Sequence, residues 1–388
     1  MKNINYSRLF ILVALTSLAI VYAVIWTRMI TDNAQRTGAD FISFYAVGLI
    51  SKINGYANAY AIPLQRDAQQ AQVGFALEEN QVLLYIHPPF TLPVLKAVVN
   101  ENYVLSFYIW NTISLILYLA AFLSILQTIL GSTTASISIL AYWGGGLLFF
   151  PVFISLLQGQ DTAILFLGAA LWLAGMASKR PWLAGLGLGL TAIRPHMALL
   201  LTIPFAFRQQ KIFLWAAGFA SLLALFSLWL IGWQGVQQFV HILLISAGGE
   251  WFGMNEKDMF NLIGVFFRVF PQGEPGVLRS IAWGIYILSI GGLSFAWKKS
   301  PSIDNRLTGV AILLAVLASP HLHYHDLALL WFPLVFVGNG IGKNTGLMFV
   351  PAISLILLFS FFIPPLKFVI PYLVMGLCAL FLIQPGEK

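Results

Sequence analysis

Several short polar motifs interrupt a chain that otherwise carries few charges, and their side chains could carry out acid–base and phosphate chemistry. The carboxylate of Asp40 could take a proton from an attacking hydroxyl group, which is general-base catalysis. Arginine and histidine side chains could stabilise negative charge on a phosphate group. The motifs are Gly38-Ala39-Asp40-Phe41, Tyr85-Ile86-His87-Pro88-Pro89, Gln158-Gly159-Gln160-Asp161, Arg194-Pro195-His196 and the run from Ser319 to Asp326.

Each motif also has a structural interpretation. Asp40 would serve equally well as a helix N-cap or as a solvated loop acid. Arg194 could pair with Asp161 or with backbone carbonyl groups at a helix break, and Gln158 and Asp161 could cap the two helices that they separate. Where each motif lies in the fold therefore decides between the two interpretations.

The histidine cluster His321, His323 and His325, followed by Asp326, invites comparison with a metal site. The alternating spacing would place the imidazoles on one side only in an extended segment, and a helix starting near Pro320 would spread them. No second carboxylate or thiol stands nearby in sequence, so we expect no metal here. Hydrogen bonding to a phosphate group and a structural role are the two remaining interpretations.

The composition is typical of a membrane protein. Of 388 residues, 59% are hydrophobic and 9% are charged, whereas soluble domains have about 25% charged residues. The net charge of +7 comes from basic clusters that directly follow apolar runs, as in cytoplasmic anchors, so we expect no nucleic-acid partner. The single cysteine, Cys378, excludes a disulfide framework and a thiolate zinc site.

The hydropathy pattern predicts an all-α, polytopic fold of about twelve membrane segments, in one domain covering residues 1–388. The first apolar run, 9–26, is interpreted as an uncleaved span rather than a signal peptide, because later basic clusters then fall inside. Residues 28–102 and 234–275 are expected to be extracytoplasmic, with interfacial helices in the first segment. There, Phe41, Phe44, Tyr45 and Leu49 recur at helical spacing, and we expect this face to rest on the membrane.

Two apolar stretches are broken in the middle, and we interpret each as a hairpin of short helices. The stretch 181–207 is broken at Arg194-Pro195, and 307–336 is broken at 319–326. The remaining expected spans are 103–127, 137–157, 161–177, 212–233, one that ends near Lys298, 346–363 and 368–383. This topology leaves both termini in the cytoplasm and all five motifs on the outer side of a plasma membrane.

The order of the motifs resembles that of glycosyltransferase family 87, a branch of the GT-C membrane enzymes. The matching residues are Gly38-Ala39-Asp40-Phe41, Tyr85 with Pro88-Pro89, Gly159-Gln160, Ala184-Gly185-Leu186, Arg194-Pro195, Ser319-Pro320 and Asp326-Leu327. The family includes mannosyltransferases that use polyprenyl-phosphate mannose as the donor. The chain departs from many relatives in the histidine-rich run from His321 to His325, where they carry a single histidine or tyrosine.

The resemblance implies transfer of a hexose, with mannose as the first candidate, from a polyprenyl phosphate to a lipid or glycan acceptor, with inversion at the anomeric carbon. It implies Asp40 as the general base and no cofactor or obligatory metal, because the leaving lipid phosphate stays bound among basic residues. The expected phosphate-binding residues are Arg194, His196 and His325. The expected cavity residues are Tyr45, Tyr85, His87, Gln160, Asp161, His321, His323 and Asp326.

Two other classes of protein fit parts of the pattern. A transporter or flippase of a lipid-linked or anionic solute would also carry broken helices and charged residues at membrane depth. It should, however, show corresponding breaks in two repeat halves, and no repeat is visible. A membrane ligase or acyltransferase would use His323 or His325, rather than Asp40, as its base.

Overall fold

The computed structural model of the chain describes residues 6–130, 144–249, 251–300, 302–341 and 343–383. All regular secondary structure in these ranges is helical, as the sequence predicts. The α-helices are α1 (Tyr6–Thr31), α2 (Asn33–Thr37), α3 (Phe41–Ile53), α4 (Ile62–Val73), α5 (Leu92–Val98), α6 (Tyr103–Leu130), α7 (Phe150–Gln158), α8 (Thr162–Ala177), α9 (Pro181–Leu190), α10 (Pro195–Thr202), α11 (Gln210–Ala247), α12 (Leu262–Val269), α13 (Pro275–Lys299), α14 (Asn305–Ala318), α15 (Trp331–Ile341), α16 (Lys343–Phe362) and α17 (Pro364–Ile383). Short 3-10 helices cover Tyr56–Asn58, Glu79–Gln81, Pro89–Thr91, Thr191–Ile193, Ile203–Phe207, Glu256–Asp258 and Tyr324–Leu330.

Within the described ranges, four helices are long and apolar enough to cross a bilayer. They are Leu9–Thr31 in α1, Tyr103–Leu126 in α6, α11 and α13. Large apolar side chains cover their outer surfaces; Leu12 and Trp229, for example, are 65% and 76% exposed. Lipid tails favour such a surface and water does not. The chain is therefore a helical membrane protein, and the total of about twelve segments stays a prediction.

Glycines bring α8, α9 and α11 into close contact and define their directions. A Cβ atom added at Gly175 would lie 2.2 Å from the backbone nitrogen of Ala184, and one at Gly187 equally close to that of Trp172, so α8 and α9 are antiparallel. Similar contacts from Gly185 to Trp215 and from Gly189 to Phe219 show that α9 and α11 are parallel.

The chain must therefore reverse between α9 and α11, and α10 with the 3-10 helix Ile203–Phe207 makes this return. The backbone leaves helical geometry at Arg194, with φ −121° and ψ 84°, directly before Pro195. The expected break and hairpin at this position are confirmed. The second expected break is also confirmed, because α14 ends at Ala318 and α15 begins only at Trp331.

Helix α11 is divided at Gly232, whose φ of 61° and ψ of −176° lie outside helical geometry. The first part corresponds to the expected span 212–233, and the second part belongs to the expected outer segment 234–275. Within this segment, the second part of α11 contains Phe239 and α12 contains Phe266.

The expectation that the aromatic face of α3 rests on the membrane is wrong. Phe41, Phe44 and Tyr45 are at most 1% exposed, because they pack against aromatic residues of α6. The ring centroids of Phe41 and Phe107 lie 5.3 Å apart, and those of Tyr45 and Tyr103 lie 4.9 Å apart. Helical spacing identifies an apolar face but does not tell whether lipid or protein covers it.

Two expected segments reach beyond the described residues. The span 137–157 includes residues 137–143, which lie outside them, and its described end contains α7. The C-terminus, which is expected in the cytoplasm, likewise involves residues 384–388, outside the described ranges. The sidedness of both termini stays a prediction.

Candidate active site

The polar motifs meet at one large cavity with a volume of about 1170 Å³. Its polar end is the part where side chains from distant segments contact one another. This end is lined by Asp40, His87, Gln158, Gln160, Arg194, His196, His321, His323, His325 and Asp326. Nine of the residues expected at the site therefore share one cavity, and Gln158 joins them.

Asp40 precedes the first residue of α3 but does not cap that helix with its side chain. Its Oδ2 accepts a 2.6 Å hydrogen bond from Nε2 of Gln160, and its backbone N–H donates to Oε1 of Gln158 at 3.2 Å. The carboxylate is thus oriented by a neutral amide and faces the cavity. The N-cap interpretation of Asp40 does not hold.

Gly159 makes this arrangement possible. Its φ of +66° is in the left-handed region that glycine adopts without strain. A Cβ atom at this position would lie 2.7 Å from Cβ of Phe41, the residue after Asp40. The indole Nε1 of Trp110 donates a 2.8 Å hydrogen bond to the carbonyl oxygen of Gly159. The sharp, anchored turn places Gln158 and Gln160 on either side of Asp40.

A buried ion cluster lies beside the carboxylate of Asp40. Arg194 Nη1 is 3.0 Å from Oδ1 of Asp161, and Arg194 Nε donates to Oδ1 of Asp326 at 3.2 Å. His87 Nδ1 lies 2.7 Å from Oδ2 of Asp161. All four side chains are at least nine-tenths buried. Pairing of Arg194 with Asp161, the structural alternative considered from sequence, is therefore present, and Asp326 is a second partner that sequence did not predict.

The charge balance of this cluster limits what it can bind. Two carboxylates oppose one guanidinium group, so the cluster carries a net negative charge unless a neighbouring histidine is protonated. The paired arginine by itself offers little excess positive charge to a phosphate group. Arg194 is accordingly better placed to hold Asp326 and His87 in position than to act as an isolated cation.

The histidines form a row along the cavity. The ring centroids of His321 and His323 lie 4.6 Å apart, those of His323 and His325 lie 5.9 Å apart, and His196 is 6.5 Å from His321. This is the extended arrangement that the alternating spacing requires, because residues 319–323 are not helical. Among the described residues, no three histidine, cysteine or acidic side chains are placed to hold a metal ion.

The protonation of the row is set by burial. Burial lowers the pKa of His321 below the usual range of histidine. Burial also lowers the pKa of His323, and the nearby carboxylates of Asp40 and Asp326 offset this only in part. Neutral imidazoles can still donate one hydrogen bond each. The Nε2 atom of His196 is buried and has no hydrogen-bond partner in the described part of the chain.

Three of the expected cavity residues lie behind the wall instead of on it. The Tyr45 hydroxyl donates a hydrogen bond to the carbonyl oxygen of Asn100 at 3.0 Å. The Tyr85 hydroxyl forms a hydrogen bond with the hydroxyl group of Thr91. Asp161 is completely buried beneath Arg194. The polar atoms of Tyr45, Tyr85 and Asp161 are therefore engaged inside the protein and do not face the cavity.

The rest of the cavity is an apolar groove between α10, α11 and α13. Tyr286 on α13 connects it to the polar end by a 2.7 Å hydrogen bond to the carbonyl oxygen of His196. Leu228 and Trp283, on opposite sides, are each 46% exposed, so the groove is open. The groove is lined by Leu199, Ala220, Leu223, Ala224, Leu228, Ile231 and Trp283.

Sequence reasoning missed four charged residues that line the same cavity: Glu256, Asp258, Arg279 and Lys367. Glu256 and Arg279 form an ion pair with each other. Asp258 lies in the second expected outer segment, and Lys367 follows Pro364-Pro365 in the expected outer turn. For Glu256, Asp258 and Lys367, the signal available in the sequence was an expected location on the same side of the membrane as Asp40.

Comparison with known proteins identifies one family. The model of glycosyltransferase family 87 matches residues 85–320, which is more than half of the chain. The matched range contains His87, Gln160, Asp161 and Arg194 but neither Asp40 nor Asp326. No curated protein and no solved structure matches the chain.

Proposed function

The chain belongs to glycosyltransferase family 87, and on that premise we propose that it transfers a hexose, with mannose as the first candidate, from a polyprenyl phosphate to a lipid or glycan acceptor. Membership makes the chain a membrane glycosyltransferase. The finer proposal adds a fold of GT-C type, a site on the outer face of a plasma membrane, and termini in the cytoplasm.

One observation carries the proposal: a single cavity contains both an open apolar groove and the carboxylate of Asp40, which does not cap a helix. Its volume of about 1170 Å³ exceeds the roughly 300–1,000 Å³ of pockets for ordinary small ligands. A substrate with a sugar and a long hydrocarbon chain needs both parts. The groove supports a lipid chain, and the polar end supports the sugar and its phosphate.

In the proposed reaction, Asp40 accepts the proton of the acceptor hydroxyl group as that oxygen attacks the anomeric carbon of the donor. The bond from this carbon to the phosphate oxygen breaks, and the lipid phosphate leaves with the electron pair. Gln160 orients the carboxylate of Asp40, which accepts this proton, through its 2.6 Å hydrogen bond to Oδ2. A single displacement inverts the anomeric centre, so a β-linked donor gives an α-linked product.

The developing charge on the leaving phosphate needs hydrogen-bond donors nearby. We assign this role to the histidine row. Two of its members, His196 and His325, are phosphate-binding residues expected from the sequence. The unpartnered Nε2 of His196 supports the assignment. Arg194 contributes by fixing His87 and Asp326, because its charge is shared between two aspartates. A monophosphate leaving group does not require a divalent metal, and no cofactor is proposed.

The proposal is tested with purified protein, a membrane lipid extract and radiolabelled polyprenyl-phosphate mannose, glucose or galactose. We expect transfer from one of these donors, most strongly from the mannosyl donor, and a loss of about 10²–10⁴-fold in Asp40→Asn. Transfer that survives in Asp40→Asn would overturn the assignment of the base. Binding of a donor without any transfer would favour the transporter or flippase.

A further inference from the structure

Among the described residues, three lysine and arginine side chains line the cavity, and two of them are paired with carboxylates. Arg194 lies beside Asp161 and Asp326, and Arg279 lies beside Glu256. The third, Lys367, forms no ion pair with any carboxylate in the described part of the chain. It is therefore the cavity cation whose charge is not balanced by a direct partner.

Two aromatic rings hold the ammonium group of Lys367 in place. Its Nζ atom lies 5.2 Å from the ring centroid of Phe361 and 5.4 Å from that of Phe368. Cation–π contacts of this kind position a charge without neutralising it. The lysine stands in the first turns of α17, and its side chain is only partly exposed.

The aromatic contacts connect Lys367 to the polar end of the cavity. Phe361 packs against Tyr324, which separates His323 from His325 in sequence, with 5.2 Å between ring centroids. It also packs against Phe150, at 5.6 Å, on α7, the helix that ends at Gln158. Lys367 thus lies on the side of the cavity that is formed by the segment of Tyr324, whose sequence neighbours are His323 and His325.

A phosphate group that enters this polar end meets an excess of acids. Asp40 and Asp326 line it, Asp161 lies directly behind, and Asp258 lines the cavity near His323. Burial leaves the histidines as neutral donors, so they offset little of this charge. Phosphate binding therefore needs a cation with charge to spare.

We propose that Lys367 binds a phosphate group of a lipid substrate in this cavity. The inference rests on the proposed function and deepens it, because it names a binding residue that lies outside the family match at residues 85–320. The compact ammonium group of lysine suits a phosphate as a point charge with three donors. The phosphate could belong to the polyprenyl donor or to the headgroup of an anionic acceptor lipid.

Measuring the binding of lipid probes, without any sugar transfer, tests whether Lys367 binds a phosphate group. Wild type, Lys367→Ala, Lys367→Arg and Lys367→Gln are titrated with decaprenyl monophosphate, decaprenol, phosphatidylglycerol and phosphatidylcholine in detergent. We expect Lys367→Ala and Lys367→Gln to bind a phosphate-bearing probe about tenfold more weakly, and Lys367→Arg within about threefold of wild type. Decaprenol and phosphatidylcholine should be unaffected.

The control is Lys96→Ala, since Nζ of Lys96 also lies over an aromatic ring, 4.8 Å from the centroid of Tyr56, but does not line the cavity. A loss confined to decaprenyl monophosphate assigns Lys367 to the donor, and one confined to phosphatidylglycerol assigns it to the acceptor. Unchanged binding of both phosphate probes in Lys367→Ala and Lys367→Gln, equal losses with decaprenol, or no phosphate preference in wild type would overturn the inference. A failed transfer assay with Lys367-dependent phosphate binding would instead refute only the proposed function.

Discussion

Gln160 Nε2 donates a 2.6 Å hydrogen bond to Oδ2 of Asp40, although 120 positions separate the two residues in sequence. The bond joins the turn after α7 to the start of α3, and Gly159 is the residue that lets these segments approach. A neutral amide orients the carboxylate without adding a charge. The proposed base is therefore positioned by a residue that itself does no proton transfer.

The first prediction concerns this positioning. Gln160→Leu should lower kcat about tenfold to a hundredfold and change the donor KM little, because one hydrogen bond to a charged group is lost. Gln160→Glu should move the acid limb of the pH–rate profile to higher pH, since two adjacent carboxylates retain a proton more readily. Initial rates between pH 5 and 9 measure both effects.

Gln158→Leu is the matched control, because Gln158 contacts the backbone of Asp40 and not its carboxylate. Its pH–rate profile should keep the wild-type shape. A Gln160→Glu profile that coincides with the wild-type profile would contradict the positioning role.

The second prediction concerns the buried ion cluster. Arg194→Met leaves Asp161 and Asp326 without their cation and should lower the free energy of unfolding by about 3–5 kcal/mol. Adding Asp326→Asn to Arg194→Met should restore part of that loss, because one uncompensated charge is removed. Thermal unfolding in detergent measures the series.

Removing an exposed ion pair provides the comparison. Arg66 and Asp67 lie 3.8 Å apart with side chains 37% and 62% exposed, so Arg66→Met should cost at most about 1 kcal/mol. If Arg194→Met were no more destabilising than Arg66→Met, Arg194 would not be holding the cluster together.

The third prediction concerns the turn at Gly159. Gly159→Ala adds left-handed strain of about 1–2 kcal/mol and a contact of 2.7 Å with Cβ of Phe41. We expect reduced thermal stability and a fall in sugar transfer of at least tenfold, because Phe41 directly follows Asp40. Both are measured on the same purified sample.

Gly74→Ala separates strain from crowding. Gly74 has a similar left-handed backbone, with φ +82°, but nothing lies within 4 Å of an added Cβ atom. This variant should lose about 1 kcal/mol of stability and retain its activity. Equal loss of transfer in both variants would show that the contact with Phe41 is not what matters.

The fourth prediction concerns sidedness. In a Cys378→Ser background, Asp67→Cys should react with a membrane-impermeant maleimide in intact cells, because residues 28–102 are expected outside. Lys298→Cys should react only after the membrane is permeabilised, because its cluster is expected inside. Labelling with the opposite pattern would refute the proposed location of the active site.

The local features of the fold could be predicted from sequence because their causes are local. Proline 195 marks the break between α9 and α10, and helical runs of apolar residues mark the long spans. The expected sidedness rests on the basic clusters, and it predicts that Asp40, Arg194 and the histidines lie on one side of the membrane. The shared cavity is the structural counterpart of that expectation.

What sequence could not supply are contacts between segments that are distant along the chain. The partner that covers the aromatic face of α3 is α6, which the spacing of Phe41 and Phe44 does not reveal. The pairing of Arg194 with Asp326 across 132 positions is likewise invisible. Lys367 is a single lysine between two expected spans in the sequence, and only the cavity shows its relation to the other charges.

The glycine contacts of α11 have a mechanical consequence. One face of the helix is fixed against α9 at Gly185 and Gly189, while its other face forms one side of the groove through Leu223 and Leu228. Because α9 supports α11 on one face, we expect α11 to shift less than α13 when a bulkier hydrocarbon chain is offered. Changes in lipid preference should therefore arise from residues on α13, such as Trp283, rather than from residues on α11.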